Sequence, residues 1–183
     1  MPLQNHIERA LFLIGACLLT YWSASSIDTK SFQHSASREF LKTPPPATPQ
    51  HWTEGEAVAR LEIPRLGMST MVVEGAGNRD LKRAAGHIPG TAFPGTGGNT
   101  GIAAHRDTFF RPLRFIRIAD SISVTTPQGT FAYRVVSTQI VKPDQIQVLY
   151  PTQAEALTLV TCYPFNFVGP APRRFIVRAE RVQ

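Results

Sequence analysis

Three side-chain types in this chain suit acyl transfer: the thiol of Cys162, the imidazole of His105 and the guanidinium of an arginine pair, Arg173 and Arg174. A thiolate attacks carbonyl carbon, an imidazole moves protons near neutral pH, and a guanidinium offers fixed donors to a developing oxyanion. Cys162 ends the apolar, β-branched run Leu157-Thr-Leu-Val-Thr161, and the arginines open the run Phe175-Ile-Val177. If these are neighbouring strands joined by the Pro- and Gly-containing loop between them, thiol and guanidinium reach the same end of a sheet. His105 ends a third short apolar run, Gly101-Ile-Ala-Ala104, and begins the polar cluster His105-Arg-Asp107.

A lone strand cysteine is more often a small buried hydrophobe than a nucleophile. A histidine elsewhere in the chain completes the minimum set for thiol acyl chemistry. The chain order His, Cys, Arg is opposite to that of papain-like enzymes, and the Gln-Ala-Cys-x-Gly pattern of caspases is absent.

The elements that must position these groups read as strands. Runs at 57–63, 68–74, 100–104, 121–126, 130–141, 156–161 and 174–180 are short, β-rich and separated by Gly and Pro, with Gln128-Gly129 as a hairpin turn. Short helical stretches are expected near 78–84, 107–115 and 144–148. Many short strands with few short helices imply a mainly β fold, a closed or nearly closed antiparallel-rich barrel. The 183 residues, 43% hydrophobic and 17% charged, suit one folded domain plus an appendage. The net charge of +6 is scattered, with no basic run interleaved with aromatics, so nucleic acid is not an expected partner; a basic surface near an anionic membrane or wall is.

Four segments follow: a short tail at 1–9, an apolar helix at 10–27, a Pro-rich extended linker at 28–54 and the folded domain at 55–183. The helix just reaches spanning length, and its strongly apolar part also suits a signal peptide, with Ala24-Ser-Ser26 as a weak cleavage site. Tyr21 and Trp22 suit interfacial anchors. Lys30, Arg38 and Lys42 after the segment oppose the positive-inside rule, although large domains translocate largely regardless of such charges. Cys17 lies inside this segment and cannot readily reach Cys162, so no internal disulfide is expected.

Gly75-Ala-Gly77 and Gly95-Thr-Gly97-Gly98 complete no dinucleotide or phosphate-loop pattern and read as turns. The five histidines have no ligand-like spacing, so no cofactor and no metal are expected, and His87 reads as structural or as a pocket wall.

The pattern Thr158-Leu-Val-Thr-Cys162, then Arg174-Phe-Ile-Val177, with His105-Arg-Asp107 upstream, resembles the sortases, membrane-anchored cysteine transpeptidases of bacterial surfaces. The Cys162-Tyr-Pro-Phe165 continuation and the segment Gly169-Pro-Ala-Pro-Arg-Arg-Phe175 are most like class D. The resemblance covers residues 57–181. It implies a closed eight-stranded barrel behind an uncleaved N-terminal transmembrane helix, with the catalytic domain outside the cytoplasm. It also implies Cys162, His105 and Arg174 as catalytic residues, with Arg174 preferred to Arg173 because it directly precedes Phe-Ile-Val. Thr161 and Tyr163 are expected to contact substrate, whereas Asp107 and Asp120 read as structural. The implied substrates are secreted proteins with a C-terminal Leu-Pro-x-Thr-Gly-like signal, and the implied acceptor is a cell-envelope or pilin amine. A thiol hydrolase using the same residues, an L,D-transpeptidase and a non-catalytic tethered adhesion or scaffold module are the other readings. The L,D-transpeptidase fits less well because Cys162 follows Val-Thr rather than a His-Gly pair.

Overall fold

The computed structural model describes residues 2–40 and 52–182. A long helix, α1 (Pro2–Phe40), precedes eight strands: β1 (Ala57–Ile63), β2 (Met68–Glu74), β3 (Ala85–His87), β4 (Asn99–Ala103), β5 (Ser121–Thr126), β6 (Gly129–Val141), β7 (Ala156–Tyr163) and β8 (Arg173–Arg181). They close into a barrel in the order β1-β2-β3-β4-β7-β8-β6-β5. Closure removes every sheet edge, so short strands need no other cover.

Alternation explains which residues fill the barrel. Leu61 and Ile63 of β1, Ile122 and Val124 of β5, Tyr133 and Val135 of β6, Leu157 and Leu159 of β7, and Val177 and Ala179 of β8 sit two apart and all belong to one core cluster. Phe110 and Leu113, from the turn after β4, plug the same core. Removing one such side chain, as in Leu159→Ala, costs about 2–5 kcal/mol.

The β5–β6 hairpin is tight: the Thr126 hydroxyl accepts the Gln128 N–H at 3.2 Å and donates to the Gly129 carbonyl at 3.3 Å. Gly95 takes a positive φ of 84°, and a Cβ there would lie 2.2 Å from the Phe131 ring, so this turn admits only glycine.

Strand β3, Ala-Gly-His, was not expected. It is only three residues long and carries no β-branched side chain, but it pairs parallel to β2 and antiparallel to β4. His87 ends it, 2% exposed, with its Nδ1 2.7 Å from a Glu74 carboxylate oxygen and its ring stacked on Phe93.

The extended linker expected from residue 28 needs correction as far as residue 40. The helix continues unbroken to Phe40. Phe32, Ala36 and Phe40 recur every four residues and pack on Met71 and Ala57, which rewards helix over extended chain. Gln33 accepts the Met71 N–H at 2.8 Å and donates to the Arg83 carbonyl at 2.7 Å, while Asp28 pairs with Arg83 at 3.0 Å. The Pro-rich remainder of the linker, 41–51, lies outside the described residues. Earlier in α1, Leu11, Phe12, Leu13, Leu18 and Leu19 are all exposed, and the helix is long and apolar enough to cross a membrane. At 1.5 Å per residue it measures about 58 Å, roughly twice a hydrocarbon core.

Candidate active site

Cys162 is the last residue but one of β7, and Arg174 is the second of β8. The antiparallel register pairs them directly, Cys162 with Arg174 and Tyr163 with Arg173. Directly opposed residues project from the same face. The neighbouring pairs, Leu159 with Val177 and Leu157 with Ala179, point into the barrel core, so Cys162 and Arg174 share the outer face. Arg174 is half-buried and donates from Nη1 to the carbonyls of Ala171 and Arg173 at 3.2 and 3.1 Å, which steadies its guanidinium; Arg173 is exposed.

His105 arrives from the other side of β7. Strand β4 runs parallel to β7 with Ala103 level with Val160, and the Ala104 N–H continues the ladder to the Val160 carbonyl at 3.2 Å. Carried two residues further, that register sets His105 beside Cys162. Past His105 the chain turns at once, the Phe110 N–H reaching back to the His105 carbonyl at 3.2 Å. Thiol, imidazole and guanidinium thus come from β7, the β4 exit and β8 to one rim.

Thr161 and Tyr163, expected to contact substrate, both make contacts within the barrel. Thr161 is 2% exposed and its hydroxyl donates to the Ala104 carbonyl at 2.7 Å, so its one proton is committed to the chain entering His105. Tyr163 alternates away from Cys162 and packs with Phe165 and Phe175, ring centroids 6.0 and 6.3 Å away. Asp120 is buried in an ion pair with Arg65, whose guanidinium forks onto both carboxylate oxygens and whose hydrogen bond holds the Asp120 carboxyl below its usual range. Asp107 is exposed and pairs with no cation among the described residues.

Two groups around the site carried no usable sequence signal. Arg106 Nη2 donates to the carbonyls of Phe167 and Gly169 at 2.6 and 3.1 Å, and Arg114 Nη1 to Asn166 Oδ1 at 3.3 Å, so the β4 exit holds the β7–β8 loop. Four residues below Arg174, Arg178 donates to Thr158 Oγ1 at 2.8 Å, which in turn donates to Asn99 Oδ1 at 2.7 Å. Asn99 Nδ2 then donates to the carbonyls of Val148 and Tyr150, tying the turn before β7 to the sheet. Burial pushes the Arg178 pKa down. Each partner is distant in sequence, and only the folded register brings them together. No group of three His, Cys, Asp or Glu able to hold a metal occurs among the described residues.

A closed eight-stranded barrel carrying a cysteine, a histidine and an arginine on one rim is the class that fold and site define. The sortase-domain family model matches residues 61–182, and the chain belongs to that family. It is 36% identical over 129 residues to Sortase D of Bacillus subtilis, a match covering 70% of this chain and 65% of that protein. It is 29% identical over 136 residues to Sortase SrtE1 of Streptomyces coelicolor, covering 64% of this chain and 39% of that one. The chain therefore spans less than two thirds of the length of these relatives. A Sortase D5 transpeptidase of Clostridium perfringens superposes with a TM-score of 0.70 at 25% identity, over 86% of this chain and 99% of that one. The SrtA sortase of Actinomyces oris does so with 0.66 at 29% identity, over 76% and 87%. The class D likeness of the motifs agrees with the Sortase D and Sortase D5 matches.

Proposed function

We propose that this protein is a cysteine transpeptidase that cleaves a C-terminal sorting signal and passes the acyl group to an amine. The observation that carries this reading is the Cys162–Arg174 cross-strand pair, with the β4 exit that leads into His105 running alongside β7 up to Ala104. Cys162 attacks the scissile carbonyl, and Arg174 donates hydrogen bonds to the oxyanion that forms. His105 protonates the departing amine, leaving a thioester on Cys162. In the second half-reaction His105 takes the proton from an incoming amine as the C–N bond forms and the C–S bond breaks. The substrate is a secreted protein with a Leu-Pro-x-Thr-Gly-like signal, and the acceptor is an amine of the cell envelope or of a pilin. Helix α1 anchors the enzyme as a single membrane pass with the barrel outside the cytoplasm.

The test is the intact mass of the protein incubated with a panel of Leu-Pro-x-Thr-Gly-type peptides, with and without an added amine, beside Cys162→Ala. An acyl adduct on the wild type alone, released as an amide of the added amine, is the expected result. Release only as free acid indicates a hydrolase. A Cys162 inert both to peptide and to alkylation in the folded protein overturns acyl chemistry altogether and leaves a non-catalytic module.

A further inference from the structure

The β7–β8 loop ends in an apolar tip that the barrel leaves uncovered. From Tyr163 to Pro172 it carries no charged residue. Its outermost side chains are Phe167, 43% exposed, and Val168, 96% exposed, so the valine packs on almost nothing. A single exposed valine is ordinary, but this one heads a charge-free loop beside a second exposed apolar group.

Arginines frame that tip. Arg106 donates to the Phe167 and Gly169 carbonyls, and its guanidinium lies 5.9 Å from the centre of the Phe167 ring. Arg114 reaches Asn166, and Arg111 stands three residues before it in the 3₁₀ turn Arg111–Phe115, whose three-residue period puts both on one face. Arg173, exposed, closes the loop where β8 begins. None of these four forms an ion pair with a carboxylate among the described residues. Asp107 is the only acid between His105 and Ala119, so the segment that holds the loop keeps a positive charge. An apolar tip framed by cations without counter-ions matches a surface that is anionic on top and apolar beneath, which is the chemistry of an anionic lipid leaflet.

Position supplies the partner. Tyr21, Trp22 and Ser26 of α1 share one cavity wall with His105, Asp107, Thr108 and Phe109. Those helix residues belong to the charge-free stretch 10–27, so the chain leaving β4 lies where the span meets the headgroups, and Arg106 within it holds the loop tip. Resting on the single-pass anchor proposed above, we propose that the β7–β8 loop docks on the leaflet facing the barrel, with Phe167 and Val168 at the headgroup–acyl boundary and Arg111 and Arg173 against the phosphates of anionic phospholipids. The loop joins the strand ends that carry Cys162 and Arg174, so docking holds the rim of the candidate site at the membrane surface.

The experiment is hydrogen exchange, read by mass spectrometry, on the full chain in nanodiscs of phosphatidylcholine alone or mixed with phosphatidylglycerol. Exchange over 165–171 is expected to slow in the anionic discs and to recover at high ionic strength, while the turn at 126–129, at the other end of the barrel, stays the same in both. Arg111→Gln/Arg173→Gln is expected to lower the docked-to-undocked ratio about thirtyfold, the scale of two basic residues at an anionic surface, and so to return the loop to its rate in neutral discs. Val168→Asp, at a side chain that packs on almost nothing, is expected to abolish the same protection with Tm unchanged. Equal loop exchange in the two discs, with 10–27 protected in both, overturns the docking and spares the anchor. Loop protection that appears only with a Leu-Pro-x-Thr-Gly-type peptide, alike in both discs, makes the loop a substrate wall and also overturns the docking. Free exchange of 10–27 in discs overturns the anchor reading beneath it.

Discussion

Cys162 and Arg174 face each other across the β7–β8 ladder, and the pairing is held by the side chains behind it rather than by the two residues themselves. Leu157 and Leu159, opposite Ala179 and Val177, are fully buried on the inner face. A slip of β7 by one residue would turn Leu157 and Leu159 outward and send Cys162 into the core, so the hydrophobic pattern enforces the rung on which thiol and guanidinium meet.

That register separates the two arginines experimentally. Arg174→Ala is expected to slow peptide acylation of Cys162 by ~10²–10³-fold, the scale of a lost oxyanion donor. Arg173→Ala, removing an exposed charge opposite Tyr163, is expected to change it by about threefold or less. Single-turnover mass spectrometry of the adduct reads both. Equal losses would mean that the pair acts only through surface charge.

Thr161 provides a test of positioning against substrate contact. Thr161→Val keeps the shape but strips the hydrogen bond from the buried Ala104 carbonyl, at a cost of roughly 1–3 kcal/mol. Because Ala104 immediately precedes His105, the expected signature is a lower kcat with KM little changed, together with a lower Tm. A raised KM at unchanged kcat would instead assign Thr161 the substrate-contact role.

The candidate site residues stood out in the sequence because the chain has only two cysteines and because the flanks are strongly β-forming: Cys162 ends Leu-Thr-Leu-Val-Thr, and Arg174 opens Phe-Ile-Val. The roles of their neighbours were not. Thr161 adjoins the nucleophile in sequence, yet the two-residue period of a strand turns it to the other face, where only the fold reveals Ala104 as its partner. Strand β3 escaped notice because Ala-Gly-His has no intrinsic β preference and exists by pairing with β2 and β4. The helical stretch 28–40 was masked by polar residues, although Phe32, Ala36 and Phe40 already carried a four-residue period. Arg106 and Asn99 bond to groups some 50 to 60 positions away, and no local pattern encodes such contacts.

The Arg65–Asp120 pair predicts how the fold responds to acid. Its hydrogen bond to Arg65 depresses the folded Asp120 pKa below the ordinary value of 3.8. A carboxyl whose pKa is lowered by folding contributes stability above its unfolded value and loses it as pH falls through the folded one. Thermal melts between neutral pH and about pH 2 should therefore show an acid limb beginning near 3.8. In Asp120→Asn that share of the limb should disappear, with a lower Tm at neutral pH. An unchanged acid limb would mean that the pair contributes nothing to stability.

Arg106 links the β4 exit to the β7–β8 loop, and the same link predicts how that loop moves. Its Nη2 bonds to the Phe167 and Gly169 carbonyls are the charge-assisted contacts that fasten the far half of the loop to the segment following His105. Losing hydrogen bonds from a charged donor costs at least about 1.5 kcal/mol, which corresponds to roughly tenfold faster amide exchange where the loop opens. Arg106→Ala is therefore expected to raise exchange across 164–172 while the β7 and β8 ladder amides stay protected. Arg106→Lys retains the charge but is shorter and lacks the planar guanidinium that aims Nη2 at both carbonyls, so it should fall between wild type and alanine. Hydrogen exchange read by mass spectrometry on peptides covering 156–181 distinguishes these outcomes. Uniform acceleration through the strands would show that Arg106 supports the barrel as a whole, and no acceleration in the loop would show that other contacts hold it.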